Sequence, residues 1–474
     1  MSAKPLFIGG TSSNAGKSWM VTAICASLRS RGVAVAPFKA QNMSNNSYPC
    51  AGGGEIGRAQ VAQAEACGLD PEPAMNPILL KPSGNGVSQV IVRGKVWKTL
   101  SARDYYSQVD VLRETVLDAY RDLAARFDVI VIEGAGSVSE LNLRAYDLVN
   151  LWLVTQVRAP WLLVADIERG GVFGSIAGTA ALLDPEERAL FRGFLINKFR
   201  GDTTLFDDAV PTIETLTSSR CFGVFPYAVD IQLDGEDSLA LDTRPRLPAP
   251  AGARIAILRL PHLSNATDFR LLQWAHWLTG PVSDAFDFVI LPGSKNTIAD
   301  LEWLRSTGLA DWVVAQHRNG ATVIGICGGY QMLGETITDP AGVESSHGKA
   351  EGLRLIPAAT VLTRDKIVTA VGASLASGCT FGAYEIHLGL MTLAPSLNHL
   401  PFAHRADGTG EGVWMNRVIG TYLHGAFEHP GVCEAVFGVR PQDPGSKADH
   451  YRRLGAWFDQ HQRHFEELDL CRTQ

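Results

Sequence analysis

The 474-residue sequence contains no Cys-x-x-Cys pair, although it has eight cysteines. This spacing is typical of reduced thiols rather than of a disulfide framework or a structural zinc site. The sequence also lacks an extended run of lysine and arginine, and its formal net charge is −7. Both properties argue against nucleic-acid binding.

Long uncharged apolar segments are missing as well. A membrane-spanning helix needs roughly 18 or more apolar residues in a row, and the segment that comes nearest, residues 148–165, contains Arg158 and Pro160. The N-terminal residues lack the long apolar region and cleavage site of a signal peptide. We therefore expect a cytoplasmic protein that binds neither a membrane nor nucleic acid. A homo-oligomer is compatible with the sequence.

Glycine and small polar residues are concentrated near the N-terminus, in residues 6–19 (LFIGGTSSNAGKSW). The pattern predicts a strand, a loop and a helix whose backbone N–H groups surround phosphates. Thr11 stands where the strict pattern has its first glycine, and Gly10 supplies a glycine one residue earlier. The lysine is expected to reach the terminal phosphates and the serine to bind Mg²⁺. The predicted nucleotide-binding residues of this loop are Gly10, Thr11, Asn14, Gly16, Lys17 and Ser18.

Polar residues also follow later apolar strands of the first half. Residues 39–47 (KAQNMSNNS), Glu133 and Asn197 each come directly after such a strand. Open α/β sheets bind ligands at the carboxyl ends of their strands. We expect Glu133 to hold Mg²⁺ together with Ser18. Residues 39–47 are also compatible with a simple hydrogen-bonded turn, and the DIERGG segment at 166–171 with a solvated salt-bridge turn.

The strands alternate with helical segments through both halves of the chain. This alternation predicts the α/β class with two doubly wound domains, the first built on a mostly parallel sheet. A polar, proline-rich stretch near residues 233–253 is typical of a domain boundary. We therefore predict a P-loop domain over residues 1–235, a linker over 236–252, and a second domain over 253–474 that includes the C-terminal tail.

The second half contains a reactive cysteine in a strand–turn–helix context. Residues 321–326 predict a buried strand, and Cys327 follows it within a G-x-C-x-G pattern. Small neighbours allow a tight turn, and a helix N-terminus lowers a thiol pKa and offers N–H groups to an oxyanion. The residues predicted to hold the oxyanion or the substrate beside Cys327 are Gly293, Ser294, Gly328 and Gln331.

A cysteine nucleophile needs a base, and two histidines are candidates. His424 follows the apolar residues 418–423 within the same predicted domain as Cys327. We therefore predict that His424 is the base. His387 is the rival candidate, and the alternative for it is that it shapes the pocket.

These motifs resemble known families. C-G-G-Y-Q, P-G-S-x-x-T and Y-L-H-G resemble the class I glutamine amidotransferases, a flavodoxin-like domain in which the cysteine forms a glutamyl thioester and releases ammonia. Ala426 stands where that family has a glutamate two residues after the histidine. The departure implies that the third, orienting residue is absent, as in the cobyrinic and cobyric acid amide synthases that work with a Cys–His pair.

The first half resembles the dethiobiotin synthetase-like P-loop enzymes, which activate a carboxylate with ATP. Together with K-A-Q-N-M-S-N-N-S, E-G-A-G-S, D-I-E-R-G-G and N-K-F-R-G-D, the whole chain resembles the cobyric acid synthase family. The resemblance implies ATP, Mg²⁺ and L-glutamine, and amidation of the b, d, e and g carboxylates of the corrinoid adenosylcobyrinic acid a,c-diamide. It also implies that Lys39 lies near the phosphates or the substrate carboxylate and that Asn197 contacts adenine.

Three alternatives remain at this point. One is cobyrinic acid a,c-diamide synthase, although that relative carries a G-P-D-type segment in place of Q-N-M-S-N-N-S. Another is an amidoligase with the same two domains that acts on a cell-wall lipid. The third is a ParA-like regulatory ATPase, which would carry a second lysine early in the P-loop, where residues 11–14 have none.

Overall fold

The apolar runs of the first half pair into a parallel sheet. The computed structural model describes residues 3–83, 86–228, 230, 231, 233, 247–344, 348–442 and 445–470. Because all strand pairs of this sheet are parallel, their carboxyl ends lie at one edge, and that edge carries the predicted nucleotide site. In spatial order, the six strands found within the described residues are Arg220–Pro226, Phe191–Phe199, Trp161–Asp166, Lys4–Gly10, Val129–Glu133 and Val35–Phe38.

A second sheet forms from the apolar runs after residue 254. It is parallel except at one edge, where Val413–Met415 runs antiparallel to Val418–Thr421. The strands that precede Cys327 and His424 are neighbours, with Ile326 opposite Thr421. Among the described residues, the strands of this sheet in spatial order are His276–Leu278, Ile255–Leu258, Phe288–Leu291, Thr322–Ile326, Val418–Thr421 and Val413–Met415.

Antiparallel strands that the sequence patterns did not predict extend both units. A hairpin of Ala358–Ser374 and Thr380–Leu393 lies beside the second sheet. In the first unit, residues 71–82 look like a rigid proline-rich connector, but Ile78–Pro82 is a strand because its apolar residues pair with Val87–Val92. The remaining strands are Gln41–Met43, Ser47–Pro49, Glu55–Gly57, Lys95–Ser101, Leu263–Ser264, Gly293–Ser294, Thr336–Thr338, Lys349–Glu351, Ala403–Arg405 and Gly410–Glu411.

Helices cover the faces of the two main sheets, as expected of doubly wound units. None of the helices within the described ranges has the length and apolarity needed to cross a membrane. The α-helices are Lys17–Ser30, Arg58–Cys67, Ala102–Tyr106, Val109–Ala124, Leu151–Val157, Val172–Ala181, Pro185–Leu190, Val210–Thr217, Thr297–Ser306, Leu309–Arg318, Gly328–Met332, Pro430–Phe437 and Lys447–His461.

The C-terminal helix Lys447–His461 packs against Lys17–Ser30, the helix that the P-loop opens. Its buried Leu454 and Phe458 belong to the same apolar cluster as the core side chains of that helix. The Ser27 hydroxyl donates a hydrogen bond of 2.6 Å to the Asp459 carboxylate. The tail therefore stabilises the first unit, although the sequence-based division assigned it to the second. Most of the predicted linker, up to residue 246, lies outside the described residues.

We predict that Phe458→Ala lowers the free energy of unfolding by about 3–5 kcal/mol, because it leaves a cavity in the core around the P-loop helix. Urea denaturation of the full chain measures the change. Arg452→Ala, an exposed position of the same helix, is the matched control and should change stability by at most about 0.5 kcal/mol. Equal effects of the two substitutions would contradict the packing described here.

Candidate active sites

The predicted phosphate-binding loop connects the strand Lys4–Gly10 to the helix Lys17–Ser30. The Gly10 carbonyl accepts a hydrogen bond of 3.1 Å from Val138, and the Thr11 N–H donates one of 3.0 Å to Val164. Gly16 precedes the helix with φ 102°, in the left-handed region that favours glycine. The loop is thus tied to the strand Trp161–Asp166 and to the segment that follows the strand Val129–Glu133, and its helix begins at Lys17.

The Lys17 ammonium lies inside the loop. Its Nζ donates hydrogen bonds of 3.0 Å to the Ser12 carbonyl and 2.7 Å to the Gly136 carbonyl. Gly136 belongs to the E-G-A-G segment that follows the neighbouring strand. The ammonium is therefore held at the edge of the sheet where a terminal phosphate would bind.

Glu133, Ser18 and Lys39 contact one another at the same edge of the sheet. The Ser18 hydroxyl donates a hydrogen bond of 2.7 Å to Glu133 Oε1, and Lys39 Nζ forms a 2.8 Å ion pair with the same oxygen. Gln63 donates a 2.5 Å hydrogen bond to Oε2. Glu133 is fully buried, so this carboxylate depends on these partners to offset the loss of water.

Asn197 contacts the P-loop backbone. Its Nδ2 donates a hydrogen bond of 3.0 Å to the Ala15 carbonyl. The next residue, Lys198, donates to the Asn14 carbonyl at 2.7 Å and forms a 2.9 Å ion pair with Asp166. The ends of two neighbouring strands therefore hold the loop in place, and the adenine contact of Asn197 stays a prediction.

Cys327 occupies a strained turn between a strand and a helix. Its φ of 51° and ψ of −110° are rare for a residue with a side chain, and strain of this kind is concentrated at functional sites. A methyl group on Gly329 would lie 2.0 Å from the Leu291 carbonyl, so the turn requires glycine there. A methyl group on Gly328 would lie 2.9 Å from the Ser294 amide nitrogen. The two predicted oxyanion segments are thus adjacent.

His424 does have an orienting partner, so the expectation that the third residue is absent is wrong. Its Nδ1 lies 2.8 Å from Asp268 Oδ2, and Oδ1 of the same carboxylate accepts a 2.7 Å hydrogen bond from the Gly425 N–H. The ring is fully buried. A methyl group on Gly293 would lie 2.8 Å from its Cε1, so this predicted residue makes room for the ring.

The charge state of His424 follows from its neighbours. Burial alone lowers the pKa of the ring, but the negative charges of Asp268 and Cys327 outweigh burial and raise the pKa to about 10. With Nδ1 directed to Asp268, the other nitrogen, Nε2, is buried and has no hydrogen-bond partner among the described residues, and the Cys327 thiol is directed to the Ile386 carbonyl at 3.5 Å.

Gln331 and His387 lie beside Cys327 but already have partners. Gln331 accepts a hydrogen bond of 3.2 Å from the Thr297 hydroxyl and donates one of 3.3 Å to Tyr422. His387 lies 2.8 Å from the Gly389 carbonyl through Nδ1, and its ring stacks on Tyr422 at 3.9 Å. Its Nε2 is 3.2 Å from a carboxylate oxygen of Glu385. Both histidine nitrogens are engaged, which favours the pocket-shaping alternative over the role of base.

The two units contact each other next to the Cys–His site. Lys39, the first residue of the run 39–47, forms the ion pair with Glu133 in the first unit. Ser47, the last residue of the run, contacts the second unit, where its N–H donates a hydrogen bond of 3.2 Å to Asn265 Oδ1. Arg58 of the first unit forms a buried 2.9 Å ion pair with Glu428 of the second. The polar run 39–47 is therefore part of an interface rather than an isolated turn.

Asp268 is the candidate site residue that the sequence patterns missed. It lies in a short 3₁₀-helix, Ala266–Phe269, and 156 residues separate it from His424. In the sequence, Asp268 is the charged residue of the otherwise uncharged segment L-S-N-A-T-D-F. A carboxylate that is buried in such surroundings needs a partner. The pattern therefore indicates that Asp268 has a partner, but it does not identify His424 as that partner.

Comparison with known proteins agrees with this architecture. Residues 6–239 match the family model of the CobQ/CobB/MinD/ParA nucleotide binding domain. Residues 254–432 match that of the CobB/CobQ-like glutamine amidotransferase domain. The match to the two models confirms the predicted α/β class with its P-loop and amidotransferase units.

Three curated proteins called cobyric acid synthase are similar over most of their length. The protein of Parabacteroides distasonis is 43% identical, with 91% of this chain and 90% of the relative covered. That of Rhodococcus jostii is 44% identical, with 89% and 84% covered. That of Dehalococcoides mccartyi is 41% identical, with 99% and 97% covered. The chain belongs to the cobyric acid synthase family. It is a glutamine-dependent amidoligase of cobalamin biosynthesis, as its motifs predict.

We predict that Asp268→Asn lowers glutamine hydrolysis by roughly 10²- to 10⁴-fold, because the amide neither orients the ring nor stabilises its charge. Release of glutamate from glutamine measures the change. Asp311→Asn, an exposed position of the same unit, is the matched control and should leave the rate unchanged. Full activity of Asp268→Asn would show that His424 works without an orienting partner.

Proposed function

We propose that this member of the cobyric acid synthase family uses ATP and glutamine to amidate the b, d, e and g carboxylates of adenosylcobyrinic acid a,c-diamide, giving adenosylcobyric acid. The observation that carries the proposal is the presence of both half-sites in one chain: a complete P-loop constellation and a Cys–His–Asp arrangement joined by a buried interface. Such a chain can activate a carboxylate and supply ammonia to it. The name of its relatives supports the corrinoid as substrate. We include the expected cytoplasmic location in this proposal.

The first half-reaction takes place at the P-loop. A carboxylate is a poor acceptor of ammonia, so a carboxylate oxygen of the substrate attacks the γ-phosphorus of ATP and ADP leaves, which gives an acyl phosphate. Lys17 and the loop N–H groups balance the charge on the transferring phosphoryl group. Lys39, held on Glu133, adds a cation at the same edge of the sheet.

The residues present fit Mg²⁺. Ser18 and Glu133 offer two hard oxygen donors 2.7 Å apart at the start of the P-loop helix, and this cation binds through few protein oxygens together with phosphates and water. When bound, Mg²⁺ neutralises charge on the phosphates. The described residues contain no cluster of three or more His, Cys, Asp or Glu side chains suited to a metal, so the nucleotide would complete the ligand set.

The second half-reaction takes place at Cys327. The thiolate attacks the γ-carboxamide carbon of glutamine, and backbone N–H groups near Ser294 and Gly328 stabilise the oxyanion. His424, held by Asp268, gives its proton to the leaving nitrogen, so ammonia departs and a glutamyl thioester remains. Water, deprotonated by His424, then hydrolyses the thioester to glutamate and restores the thiol.

Transfer joins the two half-reactions. Ammonia attacks the carbonyl carbon of the acyl phosphate, the amide bond forms, and phosphate leaves. Water would consume the acyl phosphate, so the path of ammonia has to be sheltered. The buried contacts of Ser47 with Asn265 and of Arg58 with Glu428 support a path between the units. Four carboxylates on one macrocycle require an open and adaptable substrate surface beside the P-loop.

We predict that mass spectrometry of adenosylcobyrinic acid a,c-diamide incubated with protein, MgATP and glutamine shows four successive replacements of a hydroxyl by an amino group. Cys327→Ala should abolish the product formed from glutamine and retain the product formed from ammonium chloride. Lys17→Ala should abolish both, because no acyl phosphate forms. Cys379→Ala, a second cysteine of the same unit, is the control and should retain both.

Two results would contradict this proposal. One is the absence of any corrinoid amide while glutamine and ATP are still hydrolysed, which would point to another polycarboxylate acceptor. The other is loss of the ammonia-dependent product in Cys327→Ala, which would place the thiol in the amidation step itself.

A further inference from the structure

The short 3₁₀-helix Leu141–Tyr146 of the first unit exposes its large apolar side chains instead of burying them. Leu141, Leu143 and Tyr146 are 49%, 41% and 45% exposed, and no residue of this helix is buried. Apolar side chains that lie together on a surface are typical of places where a protein contacts another molecule. Because this helix adds nothing to the core, its apolar residues indicate such a contact.

Polar contacts hold the backbone of this exposed helix in place. Arg113 Nη2 donates hydrogen bonds of 3.2 Å to the Ala145 carbonyl and 2.7 Å to the Asp147 carbonyl. The Asp147 carboxylate accepts hydrogen bonds from the Asn150 N–H at 2.8 Å and from the Trp152 N–H at 3.0 Å. The exposed side chains therefore stand on an ordered backbone, which lowers the entropy that binding a ligand would cost.

The same loop contacts the lysine of the P-loop. The segment 134–150 leaves the sheet after Glu133 and returns at Asn150, whose side-chain amide exchanges hydrogen bonds of 2.9 and 3.0 Å with the Ala135 backbone. Within this segment, the Gly136 carbonyl accepts a hydrogen bond of 2.7 Å from Lys17 Nζ. A molecule bound on the exposed helix would therefore lie beside the phosphate end of the nucleotide site.

Aromatic contacts extend the apolar surface toward a second loop of the same sheet edge. The Tyr106 ring stacks on Tyr146, with 4.6 Å between the ring centroids. The neighbouring Tyr105 hydroxyl donates a 2.5 Å hydrogen bond to Gln41, and Met43, two residues further along that strand, is 55% exposed. Residues that are two apart lie on the same face of a strand. We call these side chains the apolar rim: Met43, Tyr106, Leu141, Leu143 and Tyr146.

Two cations flank the aromatic part of the apolar rim. Arg103 lies on the same short helix as Tyr106, is exposed, and forms no ion pair with any of the described residues. Lys98 is also exposed, and its Nζ donates a hydrogen bond of 3.2 Å to Gln108, two residues after Tyr106. The combination of a flat apolar surface with cations beside it fits a ligand that is apolar across its face and anionic at its edge.

We propose that the apolar rim binds one face of the corrin ring, with Arg103 and Lys98 attracting the carboxylates that project from the edge of the ring. The inference rests on the proposed function, which supplies the corrinoid as substrate. It also explains how one P-loop serves several carboxylates. Because the rim contacts the ring rather than one particular side chain, the corrinoid can rebind in different orientations and bring each carboxylate to the phosphate end in turn.

The test measures corrinoid binding by equilibrium dialysis, followed through the visible absorption of the corrin. Leu143→Ser and Tyr146→Ala should each raise the Kd for adenosylcobyrinic acid a,c-diamide roughly 3- to 15-fold, because apolar contact area is lost. Tyr146→Phe keeps the ring and should bind as the wild type does. An unchanged Kd in both Leu143→Ser and Tyr146→Ala would overturn the proposal, with ADP binding showing that the variants are folded.

Leu216→Ser is the matched control for these variants. Leu216 is 61% exposed on the helix Val210–Thr217. That helix leads into the amino end of the strand Arg220–Pro226, so Leu216 lies at the opposite edge of the parallel sheet from the P-loop. This variant should bind the corrinoid with the wild-type Kd, and a loss of affinity equal to that of Leu143→Ser would contradict the location of the site.

Adenosylcobinamide, which has the same ring and adenosyl ligand but no carboxylate, separates apolar from charged contacts. Leu143→Ser should weaken the binding of this corrinoid as much as it weakens that of the acid, because the two molecules share the ring. Arg103→Ala should raise the Kd roughly 2- to 5-fold for the acid alone, and the difference should vanish at high salt. Equal effects of Arg103→Ala on the two corrinoids would contradict the role given to this cation.

The binding measurements separate this inference from the proposed function. Corrinoid binding that is weakened in Leu143→Ser and Tyr146→Ala supports the apolar rim even if no corrinoid amide forms. Amide formation with the wild-type KM for the corrinoid in both variants refutes the rim and leaves the proposed function intact. Phosphatidylcholine vesicles that bind wild-type protein but not Leu143→Ser, with corrinoid binding unchanged, would assign the surface to a lipid-linked molecule and would overturn the proposal.

Discussion

A buried hydrogen bond from the Ser47 N–H to Asn265 joins the segments that carry the two candidate active sites. In the first unit, the segment that ends at Ser47 begins at Lys39, whose ammonium forms an ion pair with Glu133 beside the P-loop. On the other side, Asn265 directly precedes the 3₁₀-helix that carries Asp268, the partner of the proposed base. A displacement of either segment would therefore reach a candidate catalytic side chain in each unit, which is what coordination of the proposed ammonia release with the proposed carboxylate activation would require.

Buried charges fix the relative position of the units. Arg58 is paired with Glu428 across the interface, and Glu55 contacts Lys366 of the second unit. Taking such charges out of water is costly, and separating one partner from the other would leave an unpaired charge. The positive charges of Lys366 and Lys81 hold the pKa of the Glu55 carboxyl well below its usual range, although burial alone would raise it. The interface therefore favours one arrangement of the two units over looser alternatives.

Local patterns in the sequence were sufficient for much of the account. Apolar runs followed by glycine and polar residues identified the P-loop, Cys327 and His424, because strand ends and tight turns are encoded within a few neighbouring residues. Asp268 was missed, because its contact with His424 depends on the fold bringing together residues from distant parts of the chain. The packing of the C-terminal helix on the P-loop helix was missed for the same reason, since an amphipathic pattern does not specify the surface that it covers.

The account depends most on ammonia passing between the sites without mixing with the solvent. The most direct measurement supplies glutamine labelled with ¹⁵N at the side-chain amide together with an equal concentration of unlabelled ammonium, and determines the isotope content of the corrinoid product by mass spectrometry. The account predicts that the new amides retain nearly all of the glutamine label. A label diluted to the composition of the bulk ammonia would contradict it, because the interface would then provide no sheltered path.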